Sequence, residues 1–222
     1  MEEWAQSSQC KMEEIFEKSD FAKWERFYRA AFFNSLGGFK SLNLLASQNA
    51  QGQHNLGLFF SVSHIGANEA LLGLIFRPHS VPRHSLENLR AGYATLNSVH
   101  PGILAHAHQA SANYPAEESE FEATGLSPEF RDFPAPFVAE SKIKIGIKYR
   151  EEHLIKANDT ILVVASIEKV IIEKGLILAD GLIDHSLADS IAVNGLDSYY
   201  SANRLKRFSY PRPNENLSEK PW

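Results

Sequence analysis

Two strand patterns that meet at a turn in the second half of the chain constrain the fold more than any other stretch. Ile143, Ile145, Ile147 and Tyr149 alternate with Lys142, Lys144 and Lys148. This is the period-two signature of a strand with one face buried and one in water. Asn158-Asp159 marks a turn, and Thr160 to Ile172 follows, with Ile161 to Ala165 as a continuous apolar run. The same grammar recurs upstream. Ser41 to Gln48 predicts a strand, Asn49-Ala50-Gln51-Gly52 a hairpin turn into the strand after His54, and Tyr93 to Val99 a further strand. Lys174-Gly175 and Asp180-Gly181 mark more turns. Strands with hairpin-like connections dominate. An antiparallel barrel of about six strands is the natural way to bury them and protect their edges.

Helices are expected at the start and as excursions. Glu2 to Lys18 predicts a charged, moderately amphipathic helix. Asp20 is placed to cap a second one, with Phe21, Trp24, Phe27, Tyr28, Ala31 and Phe32 at helical spacing and Gly37-Gly38 as its stop. Such an aromatic stripe is far more often a core-facing side than a cofactor box. At 222 residues the chain can bury a real core, and we expect one domain over 1–222, with a helical extension over 1–33 and an extended tail over 204–222. The tail carries three prolines and would be ordered only by packing on something else. A net charge of -5 argues against generic nucleic-acid binding. The lone cysteine, Cys10, cannot form an internal disulfide, and the acidic start Met-Glu-Glu-Trp does not resemble a signal peptide. No apolar stretch is long enough to span a bilayer. The expectation is a cytoplasmic protein without membrane contact.

The chemistry concentrates between Asn55 and Asn97. Leu56 to Val62 is apolar and aromatic, a loop with Gly66 and Asn68 follows, and Ala70 to Phe76 is a second apolar run. Arg77, His79, Ser80, Arg83 and Ser85 then fall within nine residues. Pro82 resists helix, and Ser85 is a good N-cap for a helical turn over Leu86 to Ala91 that Gly92 ends. Oriented amides at a helix start, guanidinium forks and hydroxyls are what a phosphate dianion needs. A serine ahead of a helix is ordinarily only a cap, and a surface arginine ordinarily only a solubilising group. Here, however, an acidic chain has gathered three arginines and a single acid, Glu87, between Arg77 and Arg90. A phosphate site is the first functional inference.

Other constellations say less. His100, His106 and His108 invite a metal reading, but positions 106 and 108 point to different sides of the helix expected over Ile103 to Ala112, and no Cys or HExxH pair joins them. No metal site is expected. Pro115 to Pro136, with five glutamates and four prolines, is expected to be an irregular excursion.

The runs NSLGGFKSLNLLAS, NLGLFFSVSHIGANEALLGLIFRPHSVPRHSLENLRA, HAHQASANY, SEFEATGL, PFVAESKIKI and GLDSYY occur in that order. Together they resemble the flavin reductase-like family, of flavoredoxin or flavin reductase type, over most of Phe27 to Pro213. Three features differ from the family's usual pattern. Glu69 and Ala70 stand where it carries two prolines, Ser85 where it often has Thr, and HQASA at His108 to Ala112 where it has an HQTSA-like run. The resemblance implies a mainly β, six-stranded antiparallel Greek-key split barrel that binds FMN and pairs as a homodimer with the flavin near the interface. It also implies an oxidoreductase passing hydride from NADH or NADPH to flavin. A non-catalytic FMN-holding electron carrier that exchanges electrons with a redox protein remains open, as does a barrel for another phosphorylated ligand. Under this reading Arg77, Ser80, Arg83 and Ser85 hold the phosphate. Ser61, Val62 and Ser63 line the isoalloxazine edge, while Lys40, Asn43, His108, Gln109 and Ser111 are neighbours. No side chain need act as acid or base, because the flavin itself accepts the hydride.

Overall fold

A computed structural model describes residues 13–79, 83–115 and 118–222. Its centre is one seven-stranded antiparallel sheet, formed by β2 (Asn43–Gln48), β3 (His54–Phe59), β4 (Val62–Ala67), β5 (Ala70–Phe76), β6 (Tyr93–Ser98), β9 (Ile143–Ile155) and β10 (Thr160–Ile172). Their spatial order is β3-β2-β6-β9-β10-β5-β4. A small sheet carries β1 (Lys40–Ser41), β11 (Ile191–Asn194) and β12 (Ser198–Ser201), and β7 (Pro128–Glu129) pairs with β8 (Phe137–Val138). The two edge strands of the large sheet, β3 and β4, are consecutive in sequence and joined only through Phe60-Ser61. The Ser61 carbonyl accepts the Ile75 amide at 2.9 Å, so the chain passes from one edge to the other at this seam. The sheet is thus a barrel split along one line.

Neighbouring residues on β2 serve two cores. Leu44 and Ala46 join Leu56, Val99, Ile103, Ala107, Phe121, Val138 and Ile191 on one face. Leu45 joins Leu74, Phe76, Leu86, Leu89, Leu96, Ile147 and Val163 on the other. A strand covered on both sides reads as a continuous apolar run, which is why alternation is lost there. Two buried polar side chains of β6 are paired. Asn97 donates to the Leu44 carbonyl and accepts the Val138 amide, and Thr95 donates to the Pro136 carbonyl.

Several expectations need correction. Glu13 to Glu17 carry no helix, and the rest of the stretch expected to be helical from Glu2 lies largely outside the described residues. The helices at this end are α1 (Lys18–Phe21) and α2 (Arg26–Leu36). Asp20 does not cap the long one: its carboxylate accepts the Glu17 amide, while Glu25 caps α2 by accepting the amides of Phe27 and Tyr28. The aromatic stripe does not face the barrel core, for α2 has no buried residue. Phe16, Phe21, Trp24, Tyr28, Phe32 and Phe33 stack on one another instead, with ring centroids about 5 to 6.5 Å apart. The run expected as one strand over Leu56 to Val62 is broken at the seam, so Val62 starts β4. The excursion over Pro115 to Pro136 is not wholly irregular. It holds α5 (Glu120–Thr124), stopped by Gly125 at φ 74°, a left-handed conformation that glycine adopts without strain.

The tail is anchored. Arg204 pairs with the buried Asp184, and Arg207 and Lys220 converge on Asp180. Trp222 lies under the guanidinium groups of Arg204 and Arg207, at 5.0 and 5.7 Å. Among the described residues no helix is long and apolar enough to cross a membrane.

Candidate functional site

A cleft of about 550 Å³ runs along the seam. Its floor is β3 and the crossover, Asn55 to Ser61, and one side is Ile75 to Arg77. The far end is Arg83 to Ser85, the opposite wall is Ala110 to Tyr114, and Glu120 and Leu196 complete it. The splitting of the barrel therefore creates the cavity.

Arg83, His84 and Ser85 are placed by α3 (His84–Arg90). This helix is fixed on the barrel by buried Leu86 and Leu89 and by Asn88, which donates to the Ser47 hydroxyl at 3.0 Å. The helix begins earlier than its sequence suggests. Its N-cap is Arg83, with no side-chain cap, and the amides of Leu86 and Glu87 already bond the Arg83 carbonyl. Ser85 is therefore not the cap, and the amides expected to be free behind it are consumed in the helix. Its side chain turns to a partner far away in sequence: the Ser85 hydroxyl donates to Asn55 Oδ1 at 2.7 Å. Asn55 Nδ2 in turn donates to Glu120 Oε1 at 2.8 Å, and Glu120 Oε2 accepts the Leu56 amide at 3.0 Å.

Positive charge at this end comes from side chains. Arg83 is half-buried and steered by a bond from Nε to the Pro78 carbonyl at 3.3 Å, and its terminal amino groups have no hydrogen-bond partner among the described residues. Arg77 is exposed on the cleft side and has no carboxylate partner among the described residues. The third arginine of this stretch, Arg90, is spent elsewhere, in a two-pronged pair with Glu152 at 2.7 Å that holds the Glu152 carboxyl below its usual range. Apolar and aromatic surface comes from Leu58, Phe59, Phe60, Ile75 and Leu196.

Of the residues singled out from sequence, the cleft brings together Ser61, Arg77, Arg83, Ser85 and Ser111. Ser80 lies outside the described residues. Val62 packs into the barrel core and Ser63 is exposed on β4, neither of them lining the cleft. Lys40 stands behind the wall, donating to the Asn34 carbonyl and lying 5.1 Å from the Phe60 ring. Asn43 turns to Ser41. Gln109 reaches the cleft only through Tyr114, to whose hydroxyl it donates at 2.9 Å.

His108, on α4 (Leu104–Gln109), meets the Tyr199 hydroxyl at 2.6 Å. Burial, reinforced by Asp197, pushes that phenol above its ordinary pKa. His106 and His100 bond the carbonyls of Thr124 and Glu140. Glu69 is ion-paired with Arg150 at 2.8 Å, at the far end of the β4–β5 hairpin and away from the cleft. Asn55, His84, Asn113, Tyr114 and Glu120 also line the cleft and were not singled out from sequence. Their sequence signal was membership of the family-like runs, in which all five lie.

A model of the flavin reductase-like domain matches residues 40–185. No curated protein matches the chain. Among solved structures, a candidate flavin reductase with a split barrel domain from Shewanella frigidimarina is 44% identical. It covers 90% of this chain and 100% of its own, with a TM-score of 0.86. The fold is shared at lower identity with nitrilotriacetate monooxygenase component B from Bacillus cereus, at 15%, TM-score 0.73, and 83% and 94% coverage of the two chains. Flavoredoxin of Desulfovibrio vulgaris gives 17%, 0.65, and 75% and 88%. With two thirds of its length under the domain model and a near full-length relative at 44% identity, the chain belongs to the flavin reductase-like family of split-barrel flavoproteins.

Proposed function

We propose that the seam cleft binds FMN and that the protein is a flavin reductase-type oxidoreductase taking hydride from NADH or NADPH. The observation that carries this reading is that Arg77 and Arg83 both line a cleft walled by Phe59 and Phe60. Guanidinium forks match phosphate oxygens, and flat aromatic and aliphatic walls match an isoalloxazine ring. The volume fits too, within the range of about 300–1,000 Å³ usual for cofactor sites. When bound, the flavin would supply a ring that accepts hydride and passes electrons on.

The chain's own residues bind and orient. Arg77 and Arg83 would hold the phosphate. The Ser61 backbone, already tied to Ile75, would border the ring edge at the crossover. Leu58, Phe59, Phe60, Ile75 and Leu196 would keep water from one ring face, and Tyr114 with Asn113 would form the opposite rim. No general acid is assigned, since hydride transfer needs none from a side chain.

The absorption spectrum of the purified protein tests the cofactor. Flavin bands that extract as FMN are expected, and a colourless protein that takes up no added FMN contradicts the reading. Oxidation of NADH or NADPH by the flavin-loaded protein then separates an enzyme from an electron carrier: a carrier leaves both unoxidised.

A further inference from the structure

The Ser85–Asn55–Glu120 chain has a direction that chemistry fixes. A carboxylate oxygen only accepts, so the Asn55 edge facing Glu120 Oε1 is its NH2. The other Glu120 oxygen accepts from a backbone amide, which only donates. Asn55 is therefore held with its carbonyl toward Ser85, and the Ser85 hydroxyl has one way to satisfy it: by donating its proton. That leaves Ser85 with lone pairs and no proton for the cleft it lines. Its oxygen hangs over the backbone of Gly57, 3.8 Å from where a side chain there would begin. A fully ionised phosphate offers only acceptors. It gains nothing from a hydroxyl in this state.

We propose that Glu120, acting through Asn55, makes Ser85 a hydrogen-bond acceptor, so that Ser85 reads a hydroxyl of the flavin's sugar-alcohol chain and the phosphate is left to Arg77 and Arg83. The proposal rests on the flavin reading above. In it Glu120 is a positioning residue. It also fastens α5, and with it the wall after α4, to β3 through the Leu56 amide.

The test uses three flavins: FMN, riboflavin, which lacks the phosphate, and lumiflavin, which lacks the whole chain. In Ser85→Ala, FMN and riboflavin should weaken by the same factor, about 3- to 10-fold for one neutral hydrogen bond, while lumiflavin is unchanged. A loss confined to FMN would make Ser85 a phosphate donor and overturn the proposal, as would no loss for either.

Glu120→Gln reverses the chain. The new amide can accept from Leu56 and donate to a turned Asn55, whose NH2 then faces Ser85 and frees its proton. FMN should gain over riboflavin in this variant, and by more than in Glu120→Gln/Ser85→Ala. An equal gain in both would mean that Glu120 acts through charge alone and would remove its positioning role.

Neutron diffraction of the protein without flavin decides the chain's direction separately. The Ser85 deuteron is expected on the Asn55 side, and a deuteron pointing into the cleft overturns the proposal. Wild-type protein that binds no flavin would overturn the cofactor reading, a result distinct from any of these.

Discussion

At the scale of single residues, what decides each side chain's role is the partner it finds far away in sequence. Lys144 alternates with isoleucines as an exposed lysine would, yet its side chain is only 8% exposed, its ammonium bonded to Glu129 at 2.6 Å and to the Ala139 carbonyl at 2.9 Å. Removing one member of such a pair strands the other charge. Glu129→Gln should cost about 3 kcal/mol, read from urea unfolding at neutral pH. The bond from Lys144, helped by Arg131, holds the Glu129 carboxyl below its usual 4.5. Its contribution is therefore present above that value and lost as pH falls through the lower folded one. The stability gap between wild type and Glu129→Gln should close in acid, and a gap constant from pH 7 to pH 3 would contradict this origin. Ser85 teaches the same lesson: its sequence context said cap, but the helix starts ahead of it, at His84, and its hydroxyl donates to Asn55, thirty residues away.

At the scale of elements, much was legible. Ala70 to Phe76 and Thr160 to Ile172 have the bounds that hydrophobicity gave them, because turn chemistry brackets both runs. The turn at Asn158-Asp159 formed with Asp159 at φ 56°. What composition could not show was the break inside Leu56 to Val62, since Phe60-Ser61 carries no glycine or proline to mark a turn and only barrel closure requires a crossover there. Nor could it show that Glu120 would face Asn55, a contact set by the packing of α5 against β3. One strand position carries a constraint invisible locally. Gly146 lies under the Phe133 ring, where a Cβ would meet ring carbon at 2.7 Å. Gly146→Ala should destabilise by about 1–3 kcal/mol in thermal melts. That penalty should shrink when Phe133 is also made Ala; an undiminished penalty would place the strain elsewhere. On α4, His106 and His108 are engaged outside the cleft, as is His100 before it. Alanine at any one of the three should leave NAD(P)H oxidation in place, and loss of turnover in a variant that still holds FMN would reveal an overlooked catalytic group.

At the scale of the whole molecule, the outer face beside the cleft is apolar. Ile65 packs over Gly73 and Leu162 and is 46% exposed, and Ile75, which borders the cleft, is 41% exposed. Phe121, within the Pro115 to Pro136 excursion, and Phe137, just after it, are buried and add nothing to that face. A homodimer is the expected assembly, through the Ile65–Ile75 face, and light scattering should give twice the chain mass at micromolar concentration. A monomer there would contradict it. The central claim is a phosphate grip at the end of a flavin cleft, and a fluorescence titration of FMN and riboflavin against wild type and Arg83→Ala tests it most directly. Each charge-assisted contact contributes roughly 1.5–3 kcal/mol, so FMN should weaken about 10- to 100-fold in the variant while riboflavin hardly changes, and added salt should weaken FMN more than riboflavin. Equal losses for the two flavins, or no loss for either, would contradict the account.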